Sequence, residues 1–186
     1  MDSKIIDILD KCKVIVFDAD GVLSQPMYDL NGRKISGTAS LDDDPTLSWI
    51  KYCIRSEDAY EDCTAPLVLQ NFVNQYKKKK DLYVLTCETS SFAMYDKIQF
   101  LRRYYADAFD GKIHFVSNAD YKVPVIKEMA KKLGVSLSEV ALIEDRQWTC
   151  VQADDAGINA VHISHFLTDG VILTNEYKQS DSDKEQ

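Results

Sequence analysis

Val14-Ile15-Val16-Phe17-Asp18-Ala19-Asp20-Gly21-Val22 is the stretch that decides the fold. Four apolar, β-favouring residues run without interruption into two carboxylates and a glycine. An unbroken apolar run of that length suits a strand covered on both faces, as in a parallel sheet. Carboxylates two residues apart just beyond such a strand are not there for packing. A charge taken out of water is costly unless it is paired or bound to a metal. Read alone, the pair also fits two acids capping a turn before Gly21.

Working outward, the same pattern returns four times. Residues 82–85 form a second apolar run that ends at Thr86, and 113–116 form a third. Residues 140–143 form a fourth, ending at Glu144-Asp145, and 160–163 a fifth. Each predicts a short strand buried on both faces. Between them lie helical patterns at 66–76, 90–105, 123–133 and 147–156. The second opens on a capping serine pair and carries Met94, Ile98, Leu101 and Tyr105 near helical spacing. Gly134 and Gly157 stop the last two. Strands alternating with helices predict an α/β fold with a doubly wound, Rossmann-like parallel sheet. Ligands of such sheets bind beyond the carboxyl ends of the strands.

Two segments depart from the alternation. Residues 24–44 are polar and contain Asn31-Gly32, a strong hairpin signal. They predict a small β-flap after the first strand, followed by a helix around 45–55, so that 24–64 form an insertion. Residues 175–186 are almost wholly polar and predict a disordered tail, leaving 1–174 as a single domain. The lysine run 77–80 reads as a solvated helix end, and His114, His162 and His165 are too scattered to suggest a metal site.

The chain has 186 residues, a net charge of −8 and a pI near 4.9. That balance argues against broad duplex binding, which draws its affinity from phosphate neutralisation. The five cysteines are odd in number and form no CxxC pair, so free thiols are expected. No apolar run approaches the ~18 residues of a membrane span, and no signal-peptide pattern opens the sequence. A cytoplasmic protein is the expectation.

The residues able to do chemistry fall at the predicted strand ends. Thr86 and Cys87, with the loop amides before the next helix, suit a phosphate cradle. Lys122 opens a helix, where the macrodipole disfavours a cation unless an anion is close. Glu144-Asp145, at the mouth of a parallel sheet, suits Mg²⁺, which takes hard oxygen ligands. Each has a plainer reading: a turn residue, a solvated lysine, an N-cap by Asp145.

Taken in order, Asp18-Ala19-Asp20-Gly21-Val22, Val84-Leu85-Thr86, Lys122 and Ala141-Leu142-Ile143-Glu144-Asp145 resemble the four motifs of the haloacid dehalogenase (HAD) superfamily of phosphohydrolases. The resemblance covers roughly residues 12–165. It implies that Asp18 is the nucleophile and Asp20 the general acid and then base. It places Thr86, Cys87 and Lys122 around the phosphoryl group. Mg²⁺ would sit on the Asp18 carboxylate, the Asp20 carbonyl and Asp145, with Glu144 a water-mediated ligand or a supporting residue. Many members carry a further acid four or five positions later, where this chain has Thr149 and Cys150. Arg146 has no assigned role and reads best as pairing with a nearby acid. A response-regulator receiver uses similar residues, but its acidic pair, phospho-acceptor, Thr and Lys come in a different order.

The implied activity is Mg²⁺-dependent hydrolysis of a phosphate monoester through an aspartyl-phosphate. Only 35 residues separate Thr86 from Lys122, which leaves no room for a large cap there. A nearly capless site could accept a bulky phosphorylated substrate or be closed by a second copy in a homo-oligomer. The alternatives are an enzyme resembling polynucleotide 3′-phosphatases, acting on nucleic-acid ends, and a catalytically silent HAD-like binding protein.

Overall fold

The structure is a computed structural model that describes residues 3–24, 60–61 and 63–167. The predicted hairpin at Asn31-Gly32, the helix around 45–55 and the polar tail lie outside these residues.

Five strands form one sheet in which every neighbouring pair is parallel: β1 (Val14–Phe17), β2 (Asp81–Cys87), β3 (Ile113–Val116), β4 (Val140–Glu144) and β5 (Asn159–His162), in the order β3-β2-β1-β4-β5. The helices are α1 (Ser3–Lys11), α2 (Leu67–Tyr76), α3 (Ser91–Tyr105), α4 (Lys122–Leu133), α5 (Gln147–Asp155) and α6 (Ser164–Leu167). The α/β doubly wound sheet read from the sequence is the architecture observed.

Strand alternation explains why β1 is apolar throughout. Ile15 and Phe17 pack on one face of the sheet with Leu9 of α1, Phe72 of α2, Leu101 of α3 and Phe166 of α6. Val14 and Val16 pack on the other with Val123 and Ile126 of α4 and Ala153 of α5. The Phe17 ring meets Phe72 and Phe109 edge-on, at 6.1 and 5.7 Å between centroids. Complete burial of such a ring contributes about 1.5–3 kcal/mol.

Burial on both faces holds for β1 and β4 but not for the edge strands. β3 is half-buried at three of its four positions, and β5 at three of four. An edge strand lacks a neighbour on one side, so flanking helices cover it incompletely. The buried face of α3 keeps Leu101 and Tyr105 of the predicted stripe, but its first half is rotated by one residue, with Ala93 and Lys97 in place of Met94 and Ile98. It carries Ala93, Lys97, Phe100, Leu101 and Tyr105, and leaves Met94 and Ile98 half-buried. This rotation turns a lysine toward the sheet.

Helix ends follow local chemistry. Ser90 caps α3 by accepting from the Ala93 N–H. Gly134 ends α4 in the left-handed region, at φ 68°. The lysine run after α2 is more than a solvated end. Lys77 pairs with Asp107 at 3.0 Å. The Lys80 ammonium donates to the carbonyls of Asp10 and Cys12, closing the C-terminal end of α1. Among the described residues, no helix is long and apolar enough to cross a membrane.

Candidate active site

From β1 the chain proceeds to β2 and β3 on one side and later to β4 and β5 on the other. The carboxyl end of β1 is therefore the switch point of the sheet, where a crevice opens between diverging connections. The ladder continues one residue past β1, through Asp18 N–H to the Ile143 carbonyl at 2.9 Å. The chain then folds back tightly, with Ser24 N–H bonded to Ala19 O and Gly21 N–H to Ser24 O. That turn leaves Asp18 5% exposed at the floor of the crevice.

Asp18 Oδ1 accepts from the Ala19 N–H at 2.8 Å, and Oδ2 lies 2.9 Å from Lys122 Nζ. Lys122 also donates to Glu144 Oε2 at 2.6 Å. The first turn of α4 thus brings one buried ammonium between the acids that end β1 and β4. Burial alone would lower the Lys122 pKa, but Asp18 and Glu144 overcome it and hold it above the ordinary lysine value. Burial pushes the Asp18 carboxyl up to about 6, against the pull of Lys122 and with the help of Glu144 and Asp20. Burial raises Glu144 as well.

Asp145 does not cap α5. The N-cap residue is Arg146, with no side-chain bond, and Arg146 N–H reaches Glu144 Oε1 at 3.3 Å. The Asp145 carboxylate turns toward Gly21. A Cβ built at Gly21, whose φ is +78°, would stand 2.3 Å from Asp145 Oδ2. A glycine is what lets the two loops approach. The Asp145 carbonyl accepts from His162 Nε2 at 2.8 Å, while His162 Nδ1 accepts from the Ser164 N–H at 3.3 Å. His162 therefore serves the site by anchoring the loop after β4.

Asp18, Glu144 and Asp145 each offer an oxygen within 4.8 Å of the others. Asp145 Oδ1 is buried with no hydrogen-bond partner. Burial and the charge of Asp18 push Asp145 up to about 6. An all-oxygen set with a surplus of negative charge and an orphaned oxygen fits a hard divalent cation such as Mg²⁺. Thr149 and Cys150, where a further acid was sought, are both buried, and burial lifts the Cys150 thiol to about 11.

Thr86 is buried at the end of β2. Three of the amides that follow Cys87 already have acceptors. Glu88 N–H bonds to Val116 O, and the Thr89 and Ser90 N–H groups bond to Glu88 Oε1. Burial raises the Cys87 thiol, leaving a weak neutral donor. Lys122 is the cation paired with Asp18, and the Thr86 hydroxyl accepts from a second lysine, Lys97, at 3.2 Å.

Asp20 stands on the opposite side of the crevice. Its Oδ1 accepts from Tyr60 Oη at 2.5 Å and Ser24 Oγ at 3.2 Å, and its Oδ2 accepts from Lys97 Nζ at 2.9 Å. Burial opposes the charge on Lys97, but Asp20 raises its pKa above the ordinary value. Sequence reasoning missed Lys97 and Tyr60. The signal for Lys97 was a lysine four residues after Ala93 and four before Leu101, inside an apolar stripe. No sequence signal marked Tyr60, which lies near the end of the 24–64 insertion.

Comparison of the sequence with protein-family models and with curated proteins finds no match. Solved structures are similar in fold. A haloacid dehalogenase-like hydrolase from Xanthomonas campestris aligns with a TM-score of 0.57 at 11% identity, covering 81% of this chain and 82% of that one. A haloacid dehalogenase-like family hydrolase from Streptococcus pneumoniae aligns with a TM-score of 0.56 at 14% identity, covering 86% and 93%. A HAD family enzyme from Bacteroides thetaiotaomicron, solved with magnesium and inorganic phosphate, aligns with a TM-score of 0.51 at 13% identity, covering 81% and 93%. The fold of this chain is the HAD-like fold.

Proposed function

We propose that this chain is a Mg²⁺-dependent phosphatase that hydrolyses a phosphate monoester through an aspartyl-phosphate on Asp18. One observation carries the reading. Asp18, Lys122, Glu144 and Asp145 converge at the switch point, with an unpartnered carboxylate oxygen among them. The Bacteroides enzyme of the same fold, solved with magnesium and phosphate, supports it.

Mg²⁺, held by Asp18, Asp145 and the Asp20 carbonyl, would supply charge neutralisation at the phosphoryl oxygens. The chain's own residues do the rest. An Asp18 carboxylate oxygen attacks phosphorus while the ester P–O bond breaks. Asp20, protonated, gives its proton to the departing alkoxide. In the second half a water attacks phosphorus and passes its proton to Asp20, and the Asp18–phosphorus bond breaks. Asp20 is then ready for the next turnover. Covalent catalysis of this kind divides one displacement into two easier ones. Lys122 and the Thr86 hydroxyl hold phosphoryl oxygens, and Lys122 offsets the charge of an anion approaching a carboxylate.

The test is turnover of a generic aryl phosphate. Wild type should hydrolyse it with Mg²⁺ and lose activity in EDTA. Asp18→Asn, nearly isosteric but unable to attack, should abolish turnover while melting as a folded protein. Activity in a folded Asp18→Asn variant refutes the mechanism.

A further inference from the structure

The ammonium of Lys97 is a second buried cation in the crevice, and the four motifs leave it without a task. Its side chain is 0% exposed, so it does not touch a substrate. It has three hydrogens and three close acceptors: Asp20 Oδ2 at 2.9 Å, Cys87 O at 3.1 Å and Thr86 Oγ1 at 3.2 Å. Glu88 Oε2 lies further off, at 3.9 Å, and the Tyr60 ring centroid at 5.7 Å. One ammonium therefore ties the loop after β1 to the end of β2.

We propose that Lys97 is a positioning residue for the reaction, fixing the Asp20 carboxylate and turning the Thr86 hydroxyl so that it donates into the phosphoryl site. The inference rests on the phosphatase reading above. Its chemistry follows from the donor inventory. An ammonium only donates, so Thr86 Oγ1 accepts from Lys97 and its own hydrogen is directed to another partner. In the crevice that partner is a phosphoryl oxygen. Without Lys97 the hydroxyl is free to rotate and to spend its hydrogen on Asp20 or on the Cys87 carbonyl. Asp20 is fixed in the same way. Its two oxygens are held from different directions, one by Lys97 and one by Tyr60 and Ser24.

Packing does not account for the lysine. Lys97 shares the buried face of α3 with Ala93, Phe100 and Leu101. An apolar residue there would avoid the desolvation of an ammonium, and replacing buried ionic groups by apolar ones is often neutral or stabilising. The lysine is the costlier choice, which points to a task at the loops it joins.

The experiment compares wild type, Lys97→Met, Thr86→Val and the double variant. Calorimetry measures orthophosphate affinity with Mg²⁺ present, and steady-state assays measure kcat and KM on an aryl and an alkyl phosphate. Lys97→Met should weaken orthophosphate binding about tenfold or more, the scale of one hydrogen bond to a charged group. The double variant should bind no worse than Thr86→Val, because Lys97 acts through that hydroxyl. Lys97→Met should also lower kcat more for the alkyl ester, whose departure needs a well-placed proton on Asp20, than for the aryl ester. A structural role would lower both esters alike. Unchanged affinity in Lys97→Met, or losses that add in the double variant, overturn the proposal and leave the phosphatase reading standing. A wild type that neither binds orthophosphate nor turns over either ester overturns that reading and this one with it. If Lys97→Met does not fold, Lys97→Gln, which keeps a donor, carries the same comparison.

Discussion

Replacing Gly21 by alanine exchanges one hydrogen for a methyl group, yet two separate losses should follow. The first is conformational. Gly21 sits at φ +78°, in the left-handed region, where a Cβ costs an L-residue roughly 1–2 kcal/mol. For a chain of this size that corresponds to a Tm loss of about 2–8 °C. The second is steric and local. The new Cβ would stand 2.3 Å from Asp145 Oδ2 and 2.8 Å from its Cγ, so the carboxylate must swing aside. It would leave the cluster it forms with Asp18 and Glu144, and Mg²⁺ affinity should fall about 10–100-fold, as when a group that orients a metal ligand is removed. Gly134 is the control. It has φ +68° but nothing within 4 Å of a built Cβ. Gly134→Ala should lower Tm by a similar amount and leave Mg²⁺ binding alone. Calorimetric titration with Mg²⁺ and thermal melts of all three proteins separate the two terms. If Gly21→Ala binds Mg²⁺ as wild type does, or if both variants lose affinity equally, the reasoning about Asp145 fails.

Lys122→Met should destabilise the fold by about 3–5 kcal/mol at neutral pH, because Asp18 and Glu144 would be left buried without their cation. Urea unfolding should show that loss shrinking toward pH 5 as the carboxyls take up protons, and an unchanged midpoint at pH 7 would contradict the geometry. Tyr76 supplies an alkaline test. Burial, together with its hydrogen bond to Asp10, raises its pKa to about 12. A raised folded-state value means the native protein holds a proton that the unfolded chain releases. This contribution is complete below about pH 10 and is lost as pH rises toward 12. Tyr76→Phe should flatten that part of the stability profile, and an equally steep decline in the variant would refute the assignment.

The sheet was legible because strands covered on both faces write themselves as apolar runs. Val14–Phe17 has the bounds its residues suggested, and so does Ile113–Val116, although that edge strand is only half-buried. The site acids were legible because charge at the end of such a run has no packing explanation. What escaped was whatever depends on tertiary placement. α1 went unread, although Ile5, Ile8 and Leu9 form one face at helical spacing, because nine residues are fewer than an isolated helix needs and only packing on the sheet secures it. The first half of the α3 stripe, Met94 and Ile98, was read one residue away from the buried Ala93 and Lys97, because a lysine carries no apolar signal. The sheet, not the helix, supplies the acceptors that make Lys97 tolerable inside. Tyr60 reaches Asp20 across forty positions of chain, a contact that no local pattern encodes.

The central place of β1 has a consequence for how the molecule comes into being. Val14 pairs with Asp81 on one side and with Val140 on the other, 67 and 126 positions further along the chain. Chains emerge N-terminus first, and pairings between distant segments form slowly. β1 is made early and must wait, one edge bare, until the fourth strand leaves the ribosome. Lys122 precedes that strand, but Glu144 and Asp145, which complete the acidic cluster around Asp18, arrive with it. The acidic cluster is therefore completed only when that long-range pairing forms, and a cation that needs all three acids would bind only a chain that has reached that stage.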